Sequence, residues 1–164
     1  YGKEFKDIIV SVQVMDFNGN IYTISSSNIS FKYRSTNLPK DLIYLSGTFK
    51  GNLSDKAKIK SKIDELKSKK ELSQPLRVKT SGSTFKNPLE QSDKKVWELI
   101  KESVDIKAAN EMFGDAKLSE KHCNFLINQA KASSKDMKNL INFIKENVYK
   151  KTGVNLELEI ILTS

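Results

Sequence analysis

The chain is short of several residue types, and each shortage excludes something. It has one cysteine, Cys123, among 164 residues, so an intramolecular disulfide framework is ruled out. A lone thiol fits a reducing compartment and, in an apolar segment, a small packed hydrophobe. One histidine, His122, leaves no His cluster for a transition metal, and the adjacent Cys123 makes a poor chelate, so no metal site is expected. Three prolines and seven glycines are too few for long disorder. No apolar run approaches the length that spans a bilayer, and no signal peptide is legible. Nucleotide-binding glycine loops, paired CxxC motifs and H-E-x-x-H are all missing.

Arginine is also scarce. Only two of the 28 basic residues are arginines, Arg34 and Arg77, whereas a reader of nucleic acid normally uses more guanidinium forks. What the chain has is lysine. The net charge is +8, and "KAKIKSKIDELKSKK" at 56–70 holds seven lysines against two acids. Such a run is a solvated helix face, or a surface for a polyanion or an acidic small molecule. The first residue is Tyr rather than Met, which predicts further chain upstream.

Patterning predicts an α+β chain. Val10, Val12 and Val14 alternate with Ser11 and Gln13, and Asn18-Gly19 then turns a hairpin. "DLIYLSGTF" adds a strand, so residues 1–50 read as a small antiparallel sheet. Ser54 is the expected N-cap of a helix with Ile59, Ile63 and Leu66 on one side, ending before Gln74-Pro75. Residues 76–90 read as loop, Ser92-Asp93 opens a second helix, and 105–121 is irregular. "HCNFLIN" is a short strand. Ser133 or Ser134 caps a third helix striped by Met137, Leu140, Ile141, Ile144 and Val148, and Gly153 ends it. "LELEIIL" alternates strictly and predicts a last strand that returns to the first sheet, with Glu157 and Glu159 on one face. The boundaries read as 1–53, 54–150 and 151–164.

Three places can carry chemistry. Arg34, after "FKY", is either a planar fork for a carboxylate or phosphate, or half of a surface salt bridge. Ser83 and Lys86 in "SGSTFKNP" have the S-x-x-K spacing of acylating enzymes, but that pattern needs a helix and Asn87-Pro88 follows at once; a plain loop is the alternative. Glu157 and Glu159 are either a solvated strand face or a cleft wall in which one carboxyl stays protonated.

In order along the chain, "YGKEF", "FKYRS", "SQPLRVKTSGSTFKNP", "LSEKHCNFLIN" and "LELEI" resemble the UDP-N-acetylenolpyruvoylglucosamine reductase (MurB) family. "GSTFKNP" paired with "SEKHCNF" is the specific signal, and the form without an extra tyrosine-bearing loop (type II) is the nearest in pattern. The resemblance implies the tail of an FAD-binding α+β domain at 1–53, truncated at its start. A C-terminal α+β substrate-binding domain at 54–150 and a returning segment at 151–164 follow. It implies NADPH- and FAD-dependent reduction of an enolpyruvyl ether to UDP-N-acetylmuramate, in bacterial cytoplasm, for peptidoglycan. Carried over by motif, Arg34 and Glu159 stabilise the developing enolate and Ser83 is the proton donor. Lys70, Gly82, Lys86 and Asn87 contact substrate, and Tyr1 and Gly2 contact the flavin. FAD is expected to be held mostly by residues upstream, so this half alone is expected to be inactive. The expected partners are UDP-N-acetylglucosamine enolpyruvate and NADPH, with no nucleic acid and no membrane, and the chain is expected to be a monomer. Residues 103–117 depart from the family pattern, with Gly114 their only glycine. The rival is a non-catalytic basic module that binds anions or nucleic acid.

Overall fold

In the computed structural model, which describes residues 2–163, the valine alternation becomes strand β1 (Ile9–Met15). β1 pairs antiparallel with β2 (Ile21–Ser25) across the Asn18-Gly19 turn, with Val12 opposite Ile24 and Val14 opposite Tyr22. β5 (Ile43–Phe49) lines the other side of β1, in the order β2-β1-β5. A register shift between Ile9 and Ser11 breaks the expected alternation. Ile9, Val12 and Val14 are buried, while Val10 is turned out to solvent. Ile24, Ile29, Phe31, Leu38 and Leu42 complete this small core. β3 (Phe31–Lys32) and β4 (Ser35–Thr36) form a minimal hairpin whose two-residue turn is Tyr33-Arg34.

The lysine run is helix α1 (Lys56–Ser73). Its cap is Asp55 rather than Ser54: the Asp55 carboxylate accepts the N–H groups of Ala57 at 2.9 Å and Lys58 at 3.2 Å. No residue of α1 is buried. The chain divides into two compact units, and the boundary falls inside this helix, between Leu66 and Lys67.

The second unit is a three-stranded antiparallel sheet with helices on one face. Its order is β6-β8-β7, with β6 (Lys79–Ser83), β7 (Ala116–Leu118) and β8 (Phe125–Asn128). α2 (Val96–Ser103), α3 (Ile106–Met112) and α4 (Ser134–Thr152) supply the helical layer. Leu140, Ile141, Ile144 and Val148 of α4 meet Leu99 and Ile100 of α2 and Leu118 and Leu126 of the sheet in one cluster. Each of these side chains contributes about 1.5–3 kcal/mol by leaving water. Ser133 caps α4 by accepting the Asp136 N–H, and Gly153 ends it in the left-handed region.

Four expectations are corrected here. Residues 79–83 are a strand, because β8 supplies a ladder that their weak intrinsic preference does not reveal. Residues 105–121 hold α3 and β7, with Asp105 capping α3. α2 starts after Lys95, whose N–H goes to the Glu98 carboxylate at 2.8 Å, rather than at Ser92-Asp93. The closing segment is no regular strand and does not complete the first sheet: among the described residues its backbone pairs with residues 84–86, through a single bridge between Phe85 and Leu158.

Candidate functional site

β6 reaches the site through a bulge. Thr80 pairs with Ile127 and Ser83 with Phe125, so three steps on β6 match two on β8. The extra residue falls at Ser81-Gly82, where Gly82 has φ +88°, a conformation that a side chain disfavours. Cross-strand partners share a face, so the bulge puts Thr80 and Ser83 on the same side as Ile127 and Phe125. Ala116, Leu118 and Leu126 belong to the helix-covered core. By alternation Ile127 and Phe125 lie on the opposite, open face, and Ser83 lies with them.

Residues 84–86 are then held from two sides. On one side Asn124 is buried and clamps the backbone. Its Oδ1 accepts the Phe85 N–H at 3.0 Å, its Nδ2 donates to the Phe85 carbonyl at 3.0 Å, and its own carbonyl accepts the Thr84 N–H at 2.8 Å. On the other side the Lys86 N–H donates to the Glu157 carbonyl and the Glu159 N–H to the Thr84 carbonyl, both at 2.9 Å. Glu159 therefore stands opposite Thr84, one residue of register from Ser83. The Lys86 ammonium lies 3.3 Å from the Glu157 carboxylate, across the same pairing. The two glutamates differ in surroundings: Glu157 is exposed and Glu159 half-buried.

Lys86 and Asn87 have local work as well. The Asn87 Oδ1 accepts the Val96 N–H at 3.1 Å, satisfying one of the orphan donors at the start of α2. Lys70 is exposed in the last turn of α1. No helix begins at Ser83, so the S-x-x-K geometry of an acylating enzyme is absent: Ser83 ends a strand.

The sequence motif around His122 forms the flank of the site. His122 packs edge-on against Phe125 at 4.8 Å between ring centres, and its Nδ1 is buried with no hydrogen-bond partner among the described residues. Burial lowers its pKa, because the imidazolium would lose hydration there. Cys123 is buried and donates its S–H to the Trp97 carbonyl at 3.0 Å; burial raises its pKa, so the thiol is a packed hydrophobe and no nucleophile.

In the first unit, Arg34 has φ +56°, a backbone conformation rare for a side-chain-bearing residue. Its guanidinium carbon lies 4.9 Å from the centre of the Tyr33 ring. A concavity of about 700 Å³ opens beside it, walled by Phe5, Phe31, Tyr44 and Phe49 with Lys32 and Arg34 among its lining. Those walls fit a planar aromatic group with an anionic tail. Gly2 is exposed with φ +76°; Tyr1 lies outside the described residues. Arg34 belongs to the first unit, and Ser83, Lys86 and Glu159 to the second.

Sequence reasoning gave no role to Asn124 or Glu157 in holding the Ser83 turn. For Asn124 the signal was available: an amide between Cys123 and Phe125, in an apolar strand, has to satisfy itself inside the fold.

Three comparisons bear on this geometry. The profile of the UDP-N-acetylenolpyruvoylglucosamine reductase C-terminal domain matches residues 74–163. Curated UDP-N-acetylenolpyruvoylglucosamine reductases from Pelagibacter ubique (strain HTCC1062) and Rickettsia massiliae (strain Mtu5) are 54% and 44% identical over 160 residues. Each alignment covers 98% of this chain and 52% of the relative, so the chain spans about half the length of the relatives it matches. The crystal structure of the Thermus caldophilus reductase superposes with a TM-score of 0.76 at 28% identity, covering 98% of this chain and 56% of that one.

Proposed function

The chain belongs to the UDP-N-acetylenolpyruvoylglucosamine reductase C-terminal domain family, and from that premise we propose that it is the substrate-side half of such a reductase. On this reading residues 1–53 are the tail of a flavin domain, 54–150 the substrate domain, and 151–164 the segment that returns Glu159 to the site. The whole enzyme reduces the enolpyruvyl ether of UDP-N-acetylglucosamine enolpyruvate to UDP-N-acetylmuramate, in the cytoplasm and toward peptidoglycan. FAD, reduced by NADPH, supplies the hydride when bound. The aromatic concavity of the first unit is the part of this chain that would meet it, with Gly2 and Tyr1 at the chain start.

The chain's own residues act on charge and proton. Adding a hydride to the methylene carbon leaves an electron pair on the carbon next to the substrate carboxylate, an enolate in its other resonance form. Arg34 offers two parallel N–H donors to that carboxylate, and fixed donors of this kind are typically the largest contribution to such catalysis. Glu159 assists as a neutral acid that donates a hydrogen bond, since a carboxylate there would repel the dianion. Ser83 then gives its hydroxyl proton to the carbon, and Lys86 stabilises the serine alkoxide until water returns a proton. Lys70, Gly82 and Asn87 contact the sugar nucleotide.

The observation that carries this reading is the pairing of residues 84–86 with 157–159: Leu156, Leu158 and Ile160 pack with Phe85 in the helix-covered core, so alternation turns Glu159 to the other face, the one that Ser83 shares with Phe125. The test is the full-length protein with Ser83→Ala. NADPH should still bleach the flavin at the wild-type rate, while UDP-N-acetylmuramate formation falls by about 10²-fold or more. Product formation at the wild-type rate would remove Ser83 as the donor.

A further inference from the structure

The open face that carries Ser83 holds a second cationic feature, in no part of the catalytic assignment. Lys117 of β7 pairs with Ile127 of β8, so it shares a face with Ile127, Thr80 and Ser83. It is half-buried, and its ammonium donates to the Asn110 carbonyl in the last turn of α3. Lys121 does the same at the end of α1, donating to the Glu71 carbonyl. Both lysines line one concavity of about 480 Å³, with Glu120, Gln129 and Val78.

The helix ends explain why the ammonium groups sit where they do. Carbonyls of a last helical turn lack intrahelical partners and carry the negative end of the helix dipole. Each ammonium has three N–H donors, and the recorded bond uses one. Among the described residues neither lysine is paired with a carboxylate. The two ammonium charges offset Glu120 and the partial negative charges of the two helix ends, and they still present N–H donors and localised positive charge to the concavity. A phosphate, with several oxygens and more than one charge, fits that arrangement better than any neutral group. Along β8, Ile127 lies two residues from Phe125, the partner of Ser83, so the concavity starts about 7 Å from the serine's strand position.

We propose that Lys117, with Lys121, forms a phosphate subsite on the open face of the β6-β8-β7 sheet and sets affinity for the phosphate-bearing ligand that reaches Ser83. The source of the phosphate rests on the reductase reading: the diphosphate of the sugar nucleotide or a phosphate of NADPH. The subsite itself does not rest on it.

The experiment is calorimetric titration of this chain with inorganic pyrophosphate, UDP-N-acetylglucosamine, NADPH and, as the uncharged control, uridine. Lys117→Gln is the informative variant, because an amide can still donate to the Asn110 carbonyl while the charge is gone. It should weaken pyrophosphate about tenfold, as expected for one charge-assisted contact, and leave uridine unchanged. Lys117→Arg should stay within about twofold of wild type. Whichever of UDP-N-acetylglucosamine and NADPH loses affinity in Lys117→Gln is the source of the phosphate. Unchanged pyrophosphate affinity in Lys117→Gln, or no binding of pyrophosphate by the wild type, overturns the proposal. If pyrophosphate depends on Lys117 but the sugar nucleotide binds no better than pyrophosphate, the subsite stands and the reductase reading fails. If the sugar nucleotide binds selectively and Lys117→Gln changes nothing, the reverse holds.

Discussion

Asn124 holds Phe85 by both ends of its amide: it accepts the Phe85 N–H and donates to the Phe85 carbonyl, each at 3.0 Å. Both residues are buried, so no water is at hand to replace either bond. Asn124→Leu leaves a buried N–H and a buried carbonyl unpaired, at about 1–3 kcal/mol each. The expected loss is about 2–5 kcal/mol, read from urea unfolding of the chain. Asn124→Leu as stable as wild type would show that the turn before Asn87 is held by the 157–159 pairing alone.

Thr84 presents the opposite case. Its side chain is fully buried and, among the described residues, its Oγ1 has no hydrogen-bond partner. A buried hydroxyl without a partner costs stability, and valine has nearly the same shape. Thr84→Val is expected to be neutral or to stabilise by about 1 kcal/mol. A loss of more than about 1 kcal/mol, also by urea unfolding, would mean that the hydroxyl has a partner after all.

Arg34 separates stability from activity. Arg34→Ala and Arg34→Gly lose the same guanidinium, but only glycine accepts φ +56° without strain. Arg34→Gly is therefore expected to be the more stable of the two by about 1 kcal/mol in thermal or urea unfolding. In the full-length enzyme both should lose product formation equally, which equal stabilities and unequal activities would contradict.

His122 predicts a pH dependence. Its folded pKa is lowered by burial, so the unfolded chain takes up a proton first as pH falls. The stability contributed by the neutral imidazole is present above the ordinary histidine range and declines as pH drops from there to the folded value. His122→Phe, which keeps a ring beside Phe125, should flatten that part of the stability–pH curve. An unchanged slope between about pH 7 and pH 5 would assign the dependence to the carboxylates instead.

Local signals in the sequence were enough wherever a residue's job is done by its near neighbours. The Asn18-Gly19 hairpin, the stripe Leu140-Ile141-Ile144-Val148 and the stop at Gly153 are all set within a few residues. The chemistry-bearing residues were also legible as types in motifs. β6 and β7 were not legible, because "KTSGS" and "AKL" have little strand preference and become strands only by pairing with β8, which follows β7 closely but lies far along the chain from β6. The last segment failed in the other direction. "LELEIIL" alternates like a strand, yet among the described residues it finds one bridge, at Phe85, and no ladder.

The order of residues alone settled the class, the charge, the presence of α1, α2 and α4, and the identity of Ser83, Arg34 and Glu159 as residues worth testing. Which face Ser83 occupies is set by strand pairing. A one-residue bulge at Ser81-Gly82 sets that face, and a bulge exists only between two paired strands. The same holds for Lys117. In the sequence it is one more lysine in an irregular stretch; across from Ile127, it shares the serine's face. Position along a chain fixes what a side chain is, and pairing across strands fixes what it can reach.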